Sequence, residues 1–386
     1  MTQAKSCVYL SDAPDTSLRG KTVLVRADFN VLDETTGELK SDRRIAKTIP
    51  TINHIRSRGG KIVLMTHVGR PKGKLVTHLR TDPIALRLSV LADIPVTKID
   101  EVSGPSVTDL IRSMRIGEIV LLENVRFAPG KTAGSIELAH AWAAIADAYI
   151  FDAFGAGHRP QHASVDIVAD VMRGQGNLVA KGLLVEEEER NLNRILSPER
   201  PLAIVFGGGT KAVSEKIATL QTLMARLAVG DAVLIGGLLG NWLREKAQAR
   251  LLRGMESIAR NRSATLICTR NPRTNNGRDI DEGTVVSFES VIEHCRTVFW
   301  NGPLGIYEDD RYRVGTRRLA ECIAARTEAG MLRSVLGGGD TEAAIAACGL
   351  RETDFTFVST GGGASLLYLE NGSLPVDQRL SSPEAV

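Results

Sequence analysis

Short runs of consecutive apolar residues, rich in Val, Ile and Leu, alternate along this chain with longer stretches patterned for helix. The runs fall at 22–26, 61–66, 118–122 and 149–152 in the first half. In the second half they fall at 202–206, 232–235, 264–268, 297–300, 332–336 and 355–359. They are continuous rather than alternating, which is the pattern of strands covered on both faces. Segments 45–58, 136–146, 213–226 and 341–348 suit helices between them. Strand–helix alternation predicts an α/β fold of doubly wound parallel sheets with right-handed crossovers. Ten candidate strands fit two sheets better than one. Between 181 and 200, Leu183, Leu184, Leu192, Ile195 and Leu196 surround a strongly polar centre at Glu186–Glu189, and Pro198 and Pro201 follow. That stretch predicts an exposed helix joining two domains, 1–180 and 201–370.

Composition agrees with this picture and narrows it. The 386 residues suit two domains of ordinary size. With 43% apolar and 24% charged residues, the chain is neither disordered nor fibrous. Aromatics make up only 4%, so the cores must be aliphatic. The 48 basic and 45 acidic side chains leave a net charge of +3, too small an excess for a large nucleic-acid face. A local basic pocket for a small anion remains compatible with that balance. The five cysteines are scattered, without a Cys-x-x-Cys pair, which argues for a reducing compartment and against a disulfide framework or a zinc site. The N-terminal segment lacks the apolar stretch of a signal peptide, and no run is long enough to span a membrane, so a cytoplasmic location is expected.

In doubly wound sheets ligands bind beyond the carboxyl ends of the strands. In the first half those positions carry Arg26, Asp28 and Asn30, then His67 and Arg70, then Glu123 and Arg126, then Asp152, His158 and Arg159, while Arg44 lies on the loop returning from the first strand. One arginine at a strand end is ordinarily a surface charge. A set of them at matching topological positions argues for a compact anion, because guanidinium grips phosphate and carboxylate in a fork. His162, like His54, His78, His140 and His294, is expected to be structural, since none shows metal-ligand spacing.

The second half places Gly-Gly-Gly at 207–209, 337–339 and 361–363, each between a strand and a helix. Glycine lets the backbone approach a phosphate, and the following helix N-terminus offers free N–H groups. Lys211 and Lys216 are candidates for neutralising phosphate oxygens, and Asp340 for holding Mg²⁺. Gly207, Gly209 and Ala212 also fit a relaxed dinucleotide fingerprint, with Asp231 as the nearest acid, but a mononucleotide site is the better fit. A two-domain phosphotransferase that closes around its ligands accounts for both halves.

Ten segments, VRADFNV, RRIAKTIPTI, VLMTHVGRPKG, VLLENVRF, DAFGAGHR, HAS, GGGTKAVSEKI, FWNGPLGIYE, LGGGDT and VSTGGGAS, together resemble the phosphoglycerate kinase family over almost the whole chain and in the family's order. The resemblance implies reversible phosphoryl transfer between 1,3-bisphosphoglycerate and ADP-Mg²⁺, with ATP and 3-phosphoglycerate as the other pair. It implies a monomer whose tail, 371–386, returns to the first domain. It places 3-phosphoglycerate on Asp28, Asn30, Arg44, His67, Arg70, Arg126 and Arg159. It places the nucleotide on Gly208, Lys211, Lys216, Asn301, Pro303, Glu308, Gly339, Asp340 and Thr341, with Asp340 on the metal. Arg44, Lys211 and the amides of Gly362 and Gly363 would act on the phosphoryl group in flight. Several positions depart from the family's pattern. Leu32 stands for a proline, Phe151 for an asparagine, and the 158–162 loop is one residue longer. Lys211 and Lys216 lie five apart rather than four, the 246–296 stretch is short, and Arg278 interrupts a Gly-Leu-Asp signature. Two alternatives stand beside an active enzyme of this kind: a paralogous kinase forming an acyl phosphate on another small carboxylate, and a non-catalytic binder of 3-phosphoglycerate.

Overall fold

The computed structural model describes residues 8–128, 134–159, 161–209, 213–269 and 274–381. Within them the chain divides into two compact units, 1–187 with 374–386, and 188–373. The division falls inside the helix Leu183–Leu196. Each unit is built on one six-stranded sheet, and every pairing in both is parallel.

The first sheet contains β1 (Thr22–Ala27), β2 (Lys61–Met65), β3 (Val96–Lys98), β4 (Ile119–Leu121), β5 (Ala148–Asp152) and β6 (Leu178–Lys181), in the order β3-β4-β2-β1-β5-β6. The second contains β7 (Leu202–Phe206), β8 (Ala232–Ile235), β9 (Thr265–Cys268), β10 (Thr297–Asn301), β11 (Arg333–Gly337) and β12 (Phe357–Val358), in the order β12-β11-β10-β7-β8-β9. All the residues of β1, β5, β7, β8 and β10 are buried, as their continuous apolar runs require. The strand order reverses between β1 and β5 in the first sheet and between β7 and β10 in the second. Crevices for ligands open at such reversals.

Two strands, β3 and β6, have no counterpart in the sequence pattern. Both are edge strands of three and four residues: Val96 to Lys98 are only half-buried or exposed, and the apolar run of β6, Leu178 to Ala180, is buried beyond Leu178 but too short to stand out. The helices expected at 45–58, 136–146, 213–226 and 341–348 are observed as Arg43–Ser57, Ile136–Ala143, Val213–Met224 and Gly339–Ala347. Their ends differ by up to three residues, where capping rather than periodicity decides.

The cores are aliphatic. In the first unit Val23, Val25, Ile62, Leu64, Ile119 and Ile150 from the sheet pack with Ile45, Ile52 and Ile55 from the helix Arg43–Ser57. Leu32, at 3% exposure, joins that core, which explains an apolar residue there. Phe151 is wholly buried on β5. Leu374–Leu380 belongs to the first unit, where the Val376 N–H donates to the Gly157 carbonyl (3.2 Å) and Lys181 pairs with Asp377 (2.9 Å). Among the described residues, no helix is long and apolar enough to cross a membrane.

Candidate active site

In the first unit, the strand-end side chains gather above β1, β2, β4 and β5. The helix Arg43–Ser57 buries Ile45, Ile52 and Ile55, and this fixes its rotation. Arg44, in its first turn, then meets Asp28 at 2.9 Å. Asp28 is nearly buried, and burial pushes its carboxyl upward, but the Arg44 and Arg26 guanidiniums and the Asn30 N–H together hold it below the ordinary range. Its Oδ1 has no hydrogen-bond partner. Asn30 Oδ1 accepts from the Gly69 N–H (2.8 Å) and so ties the first strand-end loop to the second.

Arg126 donates through Nη1 to the Gly69 carbonyl. Burial, with Arg159, Arg26 and Arg70 around it, lowers its guanidinium to about 10. Four arginines therefore converge here, opposed mainly by the one carboxylate of Asp28. Arg70 and Arg159 are exposed, and Arg159 Nε donates to His158 Nε2 (3.2 Å). His67 is buried and held neutral, first by burial and then by the surrounding guanidiniums. His162 is a structural hydrogen-bonder, accepting at Nδ1 from the Ser164 N–H (3.4 Å).

Beneath these groups lies scaffolding that the sequence pattern does not expose. Asn124 is wholly buried. Its oxygen accepts from the N–H groups of Val68 (3.1 Å) and Arg126 (3.1 Å). Its amide donates to the carbonyls of Val68 (2.8 Å) and Leu79 (3.1 Å). One side chain thus spaces the His67–Arg70 loop from Arg126. Glu123, 2% exposed, accepts from the N–H groups of Thr81 (2.9 Å) and Asn124 (2.8 Å) and pairs with Lys98 (2.8 Å).

In the second unit, a cleft of about 720 Å³ opens where β7 and β10 diverge. It is lined by Gly208, Lys216, Asn301, Pro303, Glu308, Gly339, Asp340, Thr341, Gly362 and Gly363, so every described candidate of the nucleotide set shares one cavity. Lys211 lies outside the described residues. Lys216 turns inward from the helix Val213–Met224, and its Nζ donates to the Gly207 carbonyl (2.8 Å). Burial lowers its ammonium below the ordinary lysine range, and Asp340 partly offsets this. Thr341 Oγ1 accepts from the Gly302 N–H and donates to the Gly337 carbonyl, both at 2.7 Å. Asn301 Nδ2 donates to the same carbonyl (2.8 Å). These bonds lock the β10 and β11 loops together at the floor of the cleft.

Close backbone approach explains two glycines. A Cβ at Gly302, which has φ +94°, would stand 2.4 Å from the Gly207 carbonyl. One at Gly237, φ +62°, would stand 2.9 Å from the Pro303 carbonyl. The helices Gly339–Ala347 and Gly363–Asn371 both begin at the cleft, presenting N–H groups and positive dipole ends to a phosphate. Asp340 is exposed at the rim, and among the described residues its carboxylate makes no hydrogen bond or ion pair. Among the described residues, no three His, Cys, Asp or Glu side chains are grouped to hold a metal. The rim carboxylate of Asp340 fits Mg²⁺, which takes one or two carboxylates and completes its shell with phosphate oxygens and water.

Glu215, Gly237, Leu238, Arg278, Ile306 and Tyr307 also line the cleft and were not among the candidates. The Gly236–Gly237 pair after β8 is the signal that would have found one of them. Asp231 is not a ribose ligand. It sits at the start of β8, away from the strand ends that carry the cleft, where it accepts from the Leu202 N–H (2.8 Å) and pairs with Arg200. Asp279 is likewise structural: it accepts from the Gly315 N–H (3.0 Å), and burial raises its carboxyl to about 6.

The chain matches the phosphoglycerate kinase family over residues 13–255 and 252–372. It is 36% identical to the phosphoglycerate kinase of Acaryochloris marina, over 95% of this chain and 97% of that protein. It is 37% identical to that of Dictyoglomus turgidum, over 94% and 96%. The structure of phosphoglycerate kinase from Coxiella burnetii superposes with a TM-score of 0.80 at 27% identity, covering 97% of this chain and 99% of that one. That from Pyrococcus horikoshii gives 0.77 at 25% identity, covering 97% and 98%. Fold, cleft and sequence agree, and the chain belongs to the phosphoglycerate kinase family.

Proposed function

We propose that this chain transfers a phosphoryl group reversibly between 1,3-bisphosphoglycerate and ADP, with 3-phosphoglycerate and ATP as the other pair, acting as a monomer in the cytoplasm. The observation that carries the reading is the concentration of Arg26, Arg70, Arg126 and Arg159 in one strand-end crevice, charge that a compact polyanion would neutralise. In this reading His67, Arg70, Arg126 and Arg159 hold the 3-phosphate. The unpartnered Oδ1 of Asp28 accepts from the substrate hydroxyl, with Asn30 beside it. Arg44, a third exposed, reaches the reacting carboxylate. The first unit is thus the acid-binding domain and the second the nucleotide domain.

The glycine loop at Gly208, the lysines Lys211 and Lys216, and the amides at Gly339 and Thr341 receive the nucleotide phosphates. Asn301, Pro303 and Glu308 face the ribose and base. Asp340 would hold Mg²⁺, which would supply neutralisation of phosphate charge. No general base is needed, because the acceptor carboxylate is already a nucleophile. What the protein supplies is alignment and preorganised positive charge. Arg44, Lys211 and the amides of Gly362 and Gly363 surround a loose, metaphosphate-like transition state. The four described cysteines are free thiols, which suits a reducing compartment.

A coupled assay tests the reading. Folded protein should consume ATP in proportion to 3-phosphoglycerate and prefer that acid over other small carboxylates. Absence of turnover would remove the enzyme, and preference for another acid would point to a paralogous kinase.

A further inference from the structure

Arg26 makes three donations from a fully enclosed position at 1% exposure. Its Nε donates to Ser164 Oγ (3.1 Å), its Nη1 to the Ala27 carbonyl, and its Nη2 meets His67 Nδ1 at 3.0 Å. A guanidinium has no acceptor and stays protonated in proteins. The contact to His67 therefore has only one possible direction: Nδ1 must present its lone pair. The ring proton is left on Nε2, which makes no hydrogen bond with any described residue. The same logic passes through Ser164. Its N–H lies 3.4 Å and its hydroxyl 3.1 Å from His162 Nδ1, so that nitrogen is an acceptor too.

We propose that Arg26 is a positioning residue that fixes the proton of His67 on Nε2 and keeps the ring uncharged, so that His67 offers one directed neutral N–H to the phosphate group of the bound acid. The role of the ligand rests on the function proposed above; the state of the ring does not. Every charged group facing His67 bears on its protonation. Arg26 on β1, Arg126 after β4 and Arg159 after β5 all oppose a second positive charge. Asp28, after β1, favours it, but lies 4.0 Å from Nδ1 and is already paired with Arg44 at 2.9 Å. Placing a proton on Nδ1 would aim an N–H at a guanidinium N–H and break the contact at 3.0 Å. Burial acts in the same direction. The consequence is functional. An ordinary histidine, titrating near about 6.5, would change its grip on a phosphate across the neutral range. A locked neutral ring contributes the same hydrogen bond throughout, while the arginines supply the charge.

Long-range proton–nitrogen NMR of the histidine rings in the ligand-free full chain tests this, with the His67 signals assigned by His67→Gln. The expected result is the Nε2–H pattern at His67 with no titration from pH 8 down to about pH 5.5. An Nδ1–H pattern, or an imidazolium forming above that pH, overturns the proposal. In a folded Arg26→Gln variant, whose side chain can accept as well as donate, the His67 proton should no longer be confined to Nε2 and an Nδ1–H population should appear, while burial, Arg126 and Arg159 still oppose a charged ring. A folded Arg26→Gln protein whose His67 keeps the pure Nε2–H pattern would show that Arg26 is not the cause. Should that variant not fold, the wild-type spectrum and titration decide alone. A chain with a locked ring but no turnover would lose the functional reading and keep this one.

Discussion

Asp152 ends β5 wholly enclosed, and its Oδ1 accepts from the Leu184 N–H (3.0 Å) at the start of the helix Leu183–Leu196. Thr51, whose hydroxyl accepts from the Leu183 N–H (3.0 Å), lies beside the carboxyl. A Cβ at Gly182 would overlap that oxygen, so the cap is tightly fitted. Its other oxygen has no partner. Burial raises the carboxyl from 3.8 to about 7, and the hydrogen bonds only partly offset this. The sign follows. Between those two values the unfolded chain has lost the proton while the folded chain keeps it, so stability falls as pH rises and levels off above the folded value. At about 1.4 kcal/mol per pH unit, the wild type loses about 4 kcal/mol from this group between about pH 4 and pH 7. Asp152→Asn keeps an accepting oxygen and cannot ionise. The variant should match the wild type to within about 1 kcal/mol near pH 4. It should exceed the wild type by about 4 kcal/mol near pH 8. Urea melts followed by circular dichroism at a series of pH values measure this difference, and the other titrating groups cancel in it. A gap that does not change with pH, or a variant less stable at pH 8, would refute the reasoning.

Arg44→Ala should lower turnover about 100-fold or more, while the melting temperature shifts by only a few degrees, since the guanidinium is a third exposed; unchanged turnover in the coupled assay would remove Arg44 from the reaction. Asn124→Ala strips partners from four backbone groups around Val68, Leu79 and Arg126. At about 1–3 kcal/mol for each group left buried and unpaired, it should cost several kcal/mol of stability. It should also raise KM for 3-phosphoglycerate more than KM for ATP, and equal effects on both would argue against a local positioning role.

How much of this was legible from residues alone depends on where the signal resides. The central strands were, because burial on both faces leaves an unbroken apolar run, and β1 and β7 show this most plainly. The phosphate cleft was, because three glycine runs mark the same kind of turn. The edge strands β3 and β6 were not, because β3 is half open to solvent and carries no apolar run, and the run of β6 is only three residues long. Arg26 was misplaced for a related reason. Period-two alternation puts it on the ligand face with Asp28 and Asn30, but β1 is covered on both sides and Arg26 is enclosed beneath the site. Asn124 and Glu123 act through partners far along the chain, 42 to 56 residues away for Thr81 and Val68, and such pairings exist only once the fold has formed.

The two ligand crevices differ in how they hold charge. The proposed nucleotide cleft offers backbone N–H groups, Lys216 and an exposed, uncommitted Asp340, and among the described residues its positive groups are few. The acid crevice instead gathers four guanidiniums, and burial together with their repulsion lowers Arg126 to about 10. Part of that cost is offset by Asp28 and the Gly69 carbonyl, while Asn124, itself held by Glu123, fixes the backbone of Arg126. A neutral His67 belongs to the same arrangement, since a fifth positive charge there would raise the cost without adding a direction. Repulsion held in the free protein is relieved when an anion binds. In the proposed reading the crevice selects highly charged small acids through the very feature that makes it costly to build.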